Sequence, residues 1–218
     1  MRDAMATLTY NPGIFRVADV DAAKAIILTP EAGQSTEERW ARETPYLTDL
    51  LGPLVQAAPG KLIVDLGCGI GRMSKALIER YGCQVLGVDI SQEMRGFAPA
   101  YVAQPGFSVV SSEMFATLVA RGLRVDGAIS VWVLQHCLSA AEEIARLREA
   151  IRPGGRLAVV NTLGRVVPTV EKTWASDGQD VRKLLGEAFQ VLEEGQLDAA
   201  HVGEPIRNGT FWGSYARA

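Results

Sequence analysis

The chain of 218 residues is short of several things, and each shortage narrows its function. It has only three cysteines, Cys68, Cys83 and Cys137, with no CxxC pair. A disulfide framework and a zinc site of ordinary spacing are therefore not expected, and free thiols fit a reducing, cytoplasmic setting. Only two histidines are present, His136 and His201. No apolar run approaches the roughly 20 residues of a membrane span, and the opening MRDAMATLTYNPG lacks the apolar stretch of a secretory signal. Lysine and arginine form no run, and the formal net charge is −3. A long nucleic-acid partner is disfavoured, because such partners are held by basic patches. No internal repeat or low-complexity segment is visible.

What is present is an ordinary globular balance, 48% hydrophobic and 22% charged residues, in a chain long enough for one domain with a full core. Ser35 and Glu38 have capping-box spacing and predict a helix from about Thr36, which Pro45 should bend or restart. Pro53, Pro59 and Gly60 read as a linker. Strand and helix signals then alternate. KLIVDLG is a strand, Met73, Leu77 and Tyr81 share a helical face, and Gly82 sits where a C-terminal cap belongs. CQVLGVDI is a second strand, and the helix after it should stop at Pro99. GFSVVSS and VDGAISVWV are further strands. SAAEEIARLREAI is a helix with Ser139 and Glu142 in capping-box spacing, and RPGG turns the chain into RLAVVNTL. QDVRKLLGEAF is a helix, and FQVLEEGQL and GTFWGSYARA close the chain as strands. Only about a dozen residues separate these last two, without a helical pattern, so they should pair as an antiparallel hairpin. The expected fold is α/β: a three-layer, doubly wound, seven-stranded, mainly parallel sheet with its last strand antiparallel.

The chemistry concentrates in LIVDLGCGIGRMSKALIERYGCQVLGVDIS, Leu62 to Ser91. Glycines directly after a strand permit a tight turn and close approach of a ligand at a helix N-terminus. A dinucleotide fingerprint needs a glycine three positions after the second one; Arg72 stands there instead, so a nicotinamide oxidoreductase is argued against. Asp65 would repel a pyrophosphate but suits a ligand carrying an ammonium group. Asp89, 22 residues after Gly67 at the tip of the second strand, can accept both hydroxyls of a ribose. A ribose, a positive end and no phosphate describe S-adenosylmethionine.

VDLGCGIGRMS, VLGVDIS, VDGAISVWVLQHC and LREAIRPGGRLAVVN, over roughly residues 60–163, resemble the successive motifs of class I S-adenosylmethionine-dependent methyltransferases. The likeness is greatest to the small-molecule group called type 11. The resemblance implies that Asp65, Gly67, Cys68, Gly69 and Gly71 hold the methionine moiety and that Asp89 holds the ribose. It implies further contacts from Ile90, Met94, Ser130 and Trp132. The family's adenine-binding aspartate after the third strand is missing here: Ser112 occupies the matching position, with Glu113 and the Met114 backbone beside it. VLQH resembles a pattern that puts a histidine near the substrate. His136 is therefore the candidate general base, with a hydrogen-bonded structural histidine as the competing reading.

The expected activity is in-line transfer of a methyl group to an oxygen or nitrogen of a small molecule, yielding S-adenosylhomocysteine and requiring no metal. Residues 1–59 should form a helical lid, 60–163 the cofactor-binding core, and 164–218 a substrate-side segment with the terminal hairpin. A protein or RNA methyltransferase and a non-catalytic S-adenosylmethionine sensor are the alternatives.

Overall fold

A computed structural model describes residues 8–31 and 33–218. Helices α1 (Val20–Ile27) and α2 (Thr36–Leu54) precede the sheet. Then follow β1 (Leu62–Leu66), α3 (Arg72–Tyr81), β2 (Gln84–Val88), α4 (Gln92–Val102), β3 (Phe107–Val110), α5 (Ser112–Ala120), β4 (Val125–Val131), α6 (Ala140–Ala150) and β5 (Ile151–Thr162). The chain ends with α7 (Val181–Ala188), β6 (Gln190–Gly195), α8 (Ala199–Val202), α9 (Glu204–Gly209) and β7 (Thr210–Ala216). The seven strands lie in the order β3-β2-β1-β4-β5-β7-β6. β7 alone is reversed, antiparallel to both β5 and β6. This is the expected doubly wound sheet.

Its two faces are closed by separate apolar clusters. Val64, Leu66, Val88, Phe115 and Ile144 belong to one. Leu47, Leu51, Ile63, Leu77 and Ile129 belong to the other, with α2 and α3 packed on it. Alternate residues of β1 thus point to opposite faces, the period of two that a strand imposes.

Local signals were followed closely in some places and overridden in others. The Ser35–Glu38 capping box forms in both directions, with Glu38 N–H donating to Ser35 Oγ at 3.2 Å and Ser35 N–H to Glu38 Oε2 at 2.8 Å. Gly82 caps α3 at φ +65°. The prolines did not behave as expected. α2 runs through Pro45 and Pro53 without a break, and α4 passes Pro99 to end at Val102. A proline removes one backbone hydrogen bond. That loss is outweighed where the helix beyond it still buries a core face, as Leu47 and Leu51 do in α2 and Val102 in α4. Pro-Gly-Gly 153–155 does not precede β5 but lies within it, as an irregularity between the pairs Val125–Ile151 and Gly127–Arg156. The stretch joining β6 to β7 holds the two short helices α8 and α9, although the strands do pair antiparallel. Among the described residues no helix is long and apolar enough to cross a membrane.

Candidate cofactor and acceptor site

The sheet order reverses direction between β1 and β4, and a crevice opens outside the carboxyl ends of the strands at such a point. A cavity of about 1080 Å³ lies there, lined by the loops after β1, β2 and β4. Ordinary ligand pockets occupy roughly 300–1,000 Å³, so the space suits two ligands side by side.

The glycine loop forms one wall. Gly67 has φ +71° and Gly69 φ +55°, backbone regions that favour glycine. A Cβ at Gly67 would fall 2.2 Å from Val133 Cγ2, and one at Gly69 would fall 2.6 Å from Ile27 Cδ1. The loop is thus squeezed between the segment after β4 and the end of α1, so a side chain at Gly67 would collide with Val133 and one at Gly69 would have to displace Ile27. Gly67 and Cys68 N–H both donate to Val88 O, at 2.7 and 3.1 Å, which ties the loop to the tip of β2.

Asp89 is the hinge pin of this arrangement. Gly69 N–H donates to its Oδ2 and Ser91 N–H to its Oδ1, each at 2.8 Å. Burial raises the Asp89 pKa, and the two backbone bonds oppose that shift. A carboxylate offers about four lone-pair sites, so two remain for a ligand in the cavity that Asp89 lines.

Of the residues expected to contact the cofactor, Gly67, Gly69, Asp89, Ile90, Met94, Ser112, Glu113 and Trp132 line the cavity, and so does His136. Asp65, Cys68, Gly71, Met114 and Ser130 are not among its lining residues. Asp65 lies behind the loop, where its Oδ2 accepts a hydrogen bond from Ser74 Oγ at 2.7 Å. Burial pushes its pKa up to about 6, opposed by the Ser74 bond and by the nearby Arg72. Any influence of Asp65 on an ammonium group therefore acts through the loop or solvent rather than by contact with the cavity. Cys68 packs its Sγ 3.5 Å from Gly69 O, Gly71 caps α3, Met114 faces solvent and Ser130 is fully buried.

Arg72, in place of a third fingerprint glycine, is buried near both Trp40 and Trp132, its guanidinium carbon 5.5 and 5.9 Å from their ring centroids. Burial lowers its pKa to about 10. Trp132 itself has φ +55°, uncommon for a bulky residue, and its N–H donates to Val160 O at 2.7 Å. Such strain persists where the surroundings over-determine it, and it gathers at ligand sites.

His136 is held at both ring nitrogens. Nδ1 lies 2.7 Å from Val166 O, where it must be a donor, and Nε2 lies 3.3 Å from Gln135 Nε2, from which it accepts. The tautomer follows from those partners. Burial lowers the His136 pKa, so the ring is neutral near pH 7. Phe15 and Trp174 flank it, with ring centroids at 5.8 and 5.2 Å.

Arg165 carried no readable sequence signal of its own, whereas the N-terminal and 164–218 segments were expected on the substrate side. Arg165 is fully buried; it pairs with Asp177 at 2.9 Å and donates to Leu134 O at 3.0 Å, Cys137 O at 2.6 Å and Leu138 O at 3.3 Å. It thereby fixes the loop bearing His136. Residues 9–11 pair with 168–170: Asn11 N–H donates to Pro168 O at 3.0 Å and Val170 N–H to Thr9 O at 2.9 Å. Tyr10, Phe15 and the end of α1 line the cavity, as do Val166 and Trp174.

Fold and site together define a class I methyltransferase architecture. Residues 64–159 match the family model described as a methyltransferase domain. Three relatives illustrate its range. An O-methyltransferase, resE, of Aspergillus sclerotiorum is 26% identical over 174 residues, 73% of this chain and 66% of that protein. A ubiquinone biosynthesis O-methyltransferase of Burkholderia thailandensis is 35% identical over 101 residues, 44% of this chain and 42% of its own length. A trans-aconitate 2-methyltransferase of an Acidovorax species is 38% identical over 122 residues, 55% and 45% of the two chains. The chain thus spans less than two thirds of these relatives' lengths. Among solved structures, a geranyl diphosphate methyltransferase in complex with SAM superposes with TM-score 0.64 at 16% identity, covering 97% of both chains. The [4+2]-cyclase SpnF superposes with TM-score 0.61 at 15% identity, covering 79% of this chain and 81% of its own. These structures share the fold.

Proposed function

We propose that the protein transfers a methyl group from S-adenosylmethionine to an oxygen or nitrogen of a small molecule. One observation carries the reading: a buried carboxylate, Asp89, presents its remaining lone pairs to a cavity whose adjoining wall is a side-chain-free glycine loop. That combination fits a ribose lying against backbone, and Asp65 close behind the loop disfavours a pyrophosphate.

In this reading Asp89 holds the ribose, Gly67 and Gly69 border the methionine moiety, and Ile90 and Met94 pack on the adenosine. Ser112 and Glu113 lie at the adenine end. Trp132 borders the transfer site. Bound there, S-adenosylmethionine supplies a methyl carbon on a sulfonium leaving group, which departs without protonation. The chain contributes placement of the acceptor about 3 Å from that carbon and exclusion of water. The paired 9–11 and 168–170 segments supply the exclusion, as the lid expected of the N-terminal region. His136, held at Nδ1 by Val166 O and at Nε2 by Gln135, orients the acceptor wall, and the proton released by the methylated acceptor passes to solvent. The two sequenced O-methyltransferase relatives support oxygen as the methylated atom.

Calorimetry decides the cofactor: S-adenosylhomocysteine should bind, and NAD should not. Incubation with methyl-labelled S-adenosylmethionine and a pooled metabolite extract, read by mass spectrometry, should then yield a labelled small molecule. Tighter binding of NAD than of either adenosyl ligand would refute the reading.

A further inference from the structure

We infer that the acceptor is an uncharged, planar, ring-bearing molecule, and not a carboxylate or a phosphate ester; this rests on the reading above. Three observations converge on it.

The first is where the aromatic side chains stand. Asp89 follows β2, whereas the His136 loop follows β4 and the Val166–Trp174 loop follows β5. β2 and β5 are three inter-strand spacings apart in the sheet, about 14 Å at the usual 4.7–4.9 Å per step. The cavity therefore has two ends. The end away from Asp89 holds Phe15, His136 and Trp174, with successive ring centroids 5.8 and 5.2 Å apart and planes tilted by 57° and 41°. Tilted and edge-on rings are what an inserted flat ring meets favourably. Ile14, Val166 and Leu138 add apolar surface nearby.

The second is charge. Among the described residues the cavity is lined by Glu31, Asp89, Glu113, Glu142 and Glu143 against Arg39 and Arg146, and by no lysine. Both arginines are already paired with a carboxylate of the chain. Arg39 grips Glu43 through Nε at 2.7 Å and Nη2 at 3.2 Å, with Nη1 on Thr29 O at 2.6 Å. Arg146 holds Glu143 at 2.6 Å. A carboxylate or phosphate would be desolvated beside excess carboxylate with no unpaired cation to meet it, which is costly.

The third is that the polar partner at the aromatic end is neutral. His136 keeps Nδ1–H on Val166 O and Nε2 beside Gln135, so it offers no positive charge to an anion.

The test uses the full chain saturated with S-adenosylhomocysteine, so that a probe cannot enter the cofactor end. Three probes are titrated calorimetrically: 2-naphthol, 2-naphthyl phosphate and citrate. The expected result is that 2-naphthol binds at least tenfold more tightly than the other two. Trp174→Ala and Phe15→Ala should each weaken 2-naphthol about tenfold and leave S-adenosylhomocysteine affinity within twofold. The inference is overturned if either anion binds as tightly as 2-naphthol, if 2-naphthol does not bind the loaded protein, or if both substitutions leave its affinity unchanged. Failure of S-adenosylhomocysteine to bind in the preceding titration would instead strike down the proposed function, and the acceptor inference with it.

Discussion

Asp89→Asn separates the two tasks assigned to that carboxylate. In the parent, Oδ2 receives Gly69 N–H and Oδ1 receives Ser91 N–H, both at 2.8 Å. Asparagine has a single acceptor oxygen, so one of these buried backbone donors loses its partner and faces an amide NH2. An unsatisfied buried donor costs about 1–3 kcal/mol. The neutral amide recovers part of that, because Asp89 is buried enough for desolvation to raise its pKa. A net loss in the lower half of the range, about 1–2 kcal/mol, at about 2–4 °C per kcal/mol for a protein of this size, lowers the melting temperature by about 2–8 °C. Cofactor binding suffers separately. One ribose hydroxyl loses a charge-assisted bond, about 1.5–3 kcal/mol, which at about 1.4 kcal/mol per decade weakens S-adenosylhomocysteine by roughly 10- to 150-fold. Differential scanning fluorimetry of the free protein reads the first effect and calorimetry the second. A dissociation constant within threefold of the parent's would show that the ribose does not depend on Asp89. An unchanged melting temperature would show that Asp89 does not hold the glycine loop.

Arg165→Met removes a buried ion pair and strands Asp177 and three loop carbonyls, so it should cost about 3–5 kcal/mol; a melting temperature within 2 °C of the parent's would contradict the bracing role. His136→Gln should reduce turnover less than about tenfold, since a general base would cost roughly 10²–10⁴, and a hundredfold loss in a stably folded, cofactor-binding variant would restore the base. Because burial lowers the His136 pKa, its contribution to stability is present above about 6.5 and is lost as pH falls below that value; the glutamine variant should flatten that acid limb. Asp65, raised from 3.8 to about 6 by burial, penalises the folded state once ionised, by up to about 3 kcal/mol at 1.36 kcal/mol per pKa unit. Its effect is favourable below about pH 4 and is lost as pH rises through 6, so Asp65→Asn should raise the melting temperature at pH 7.5 and change it little at pH 4. A lower melting temperature at pH 7.5 would contradict this.

The sheet was legible because its strands are short apolar runs separated by caps and glycines, and burial on both faces leaves little else for such runs to be. What escaped the reading was decided at longer range. α1 (VDAAKAII) and α5 (SEMFATLVA) are short and mostly apolar, so no polar face marks their helical period, as one does in the equally short α7. The prolines of α2 and α4 looked like stops because their local cost is visible in sequence, while the core face they extend is not. Pro-Gly-Gly 153–155 read as a turn for a similar reason: a bulge needs a partner strand to be recognised.

The candidate site divides along the same line. Asp89 and the glycines were readable because a ligand approached by backbone demands particular residues at fixed spacing, all within about 25 positions of chain. Asp65 belongs to the same motif, yet spacing along a strand says nothing about whether a side chain ends in a cavity or behind its wall. The Ser74 hydroxyl 2.7 Å away settles that Asp65 is behind it. The acceptor end is the opposite case. Tyr10 and Phe15 reach it only because residues 9–11 pair with 168–170, and Arg165 acts through carbonyls, which every residue possesses. A carbonyl partner leaves no trace in the identity of the residue that supplies it. The cofactor half of such a site is therefore written locally in the chain, while the half that selects the acceptor exists only once distant segments meet.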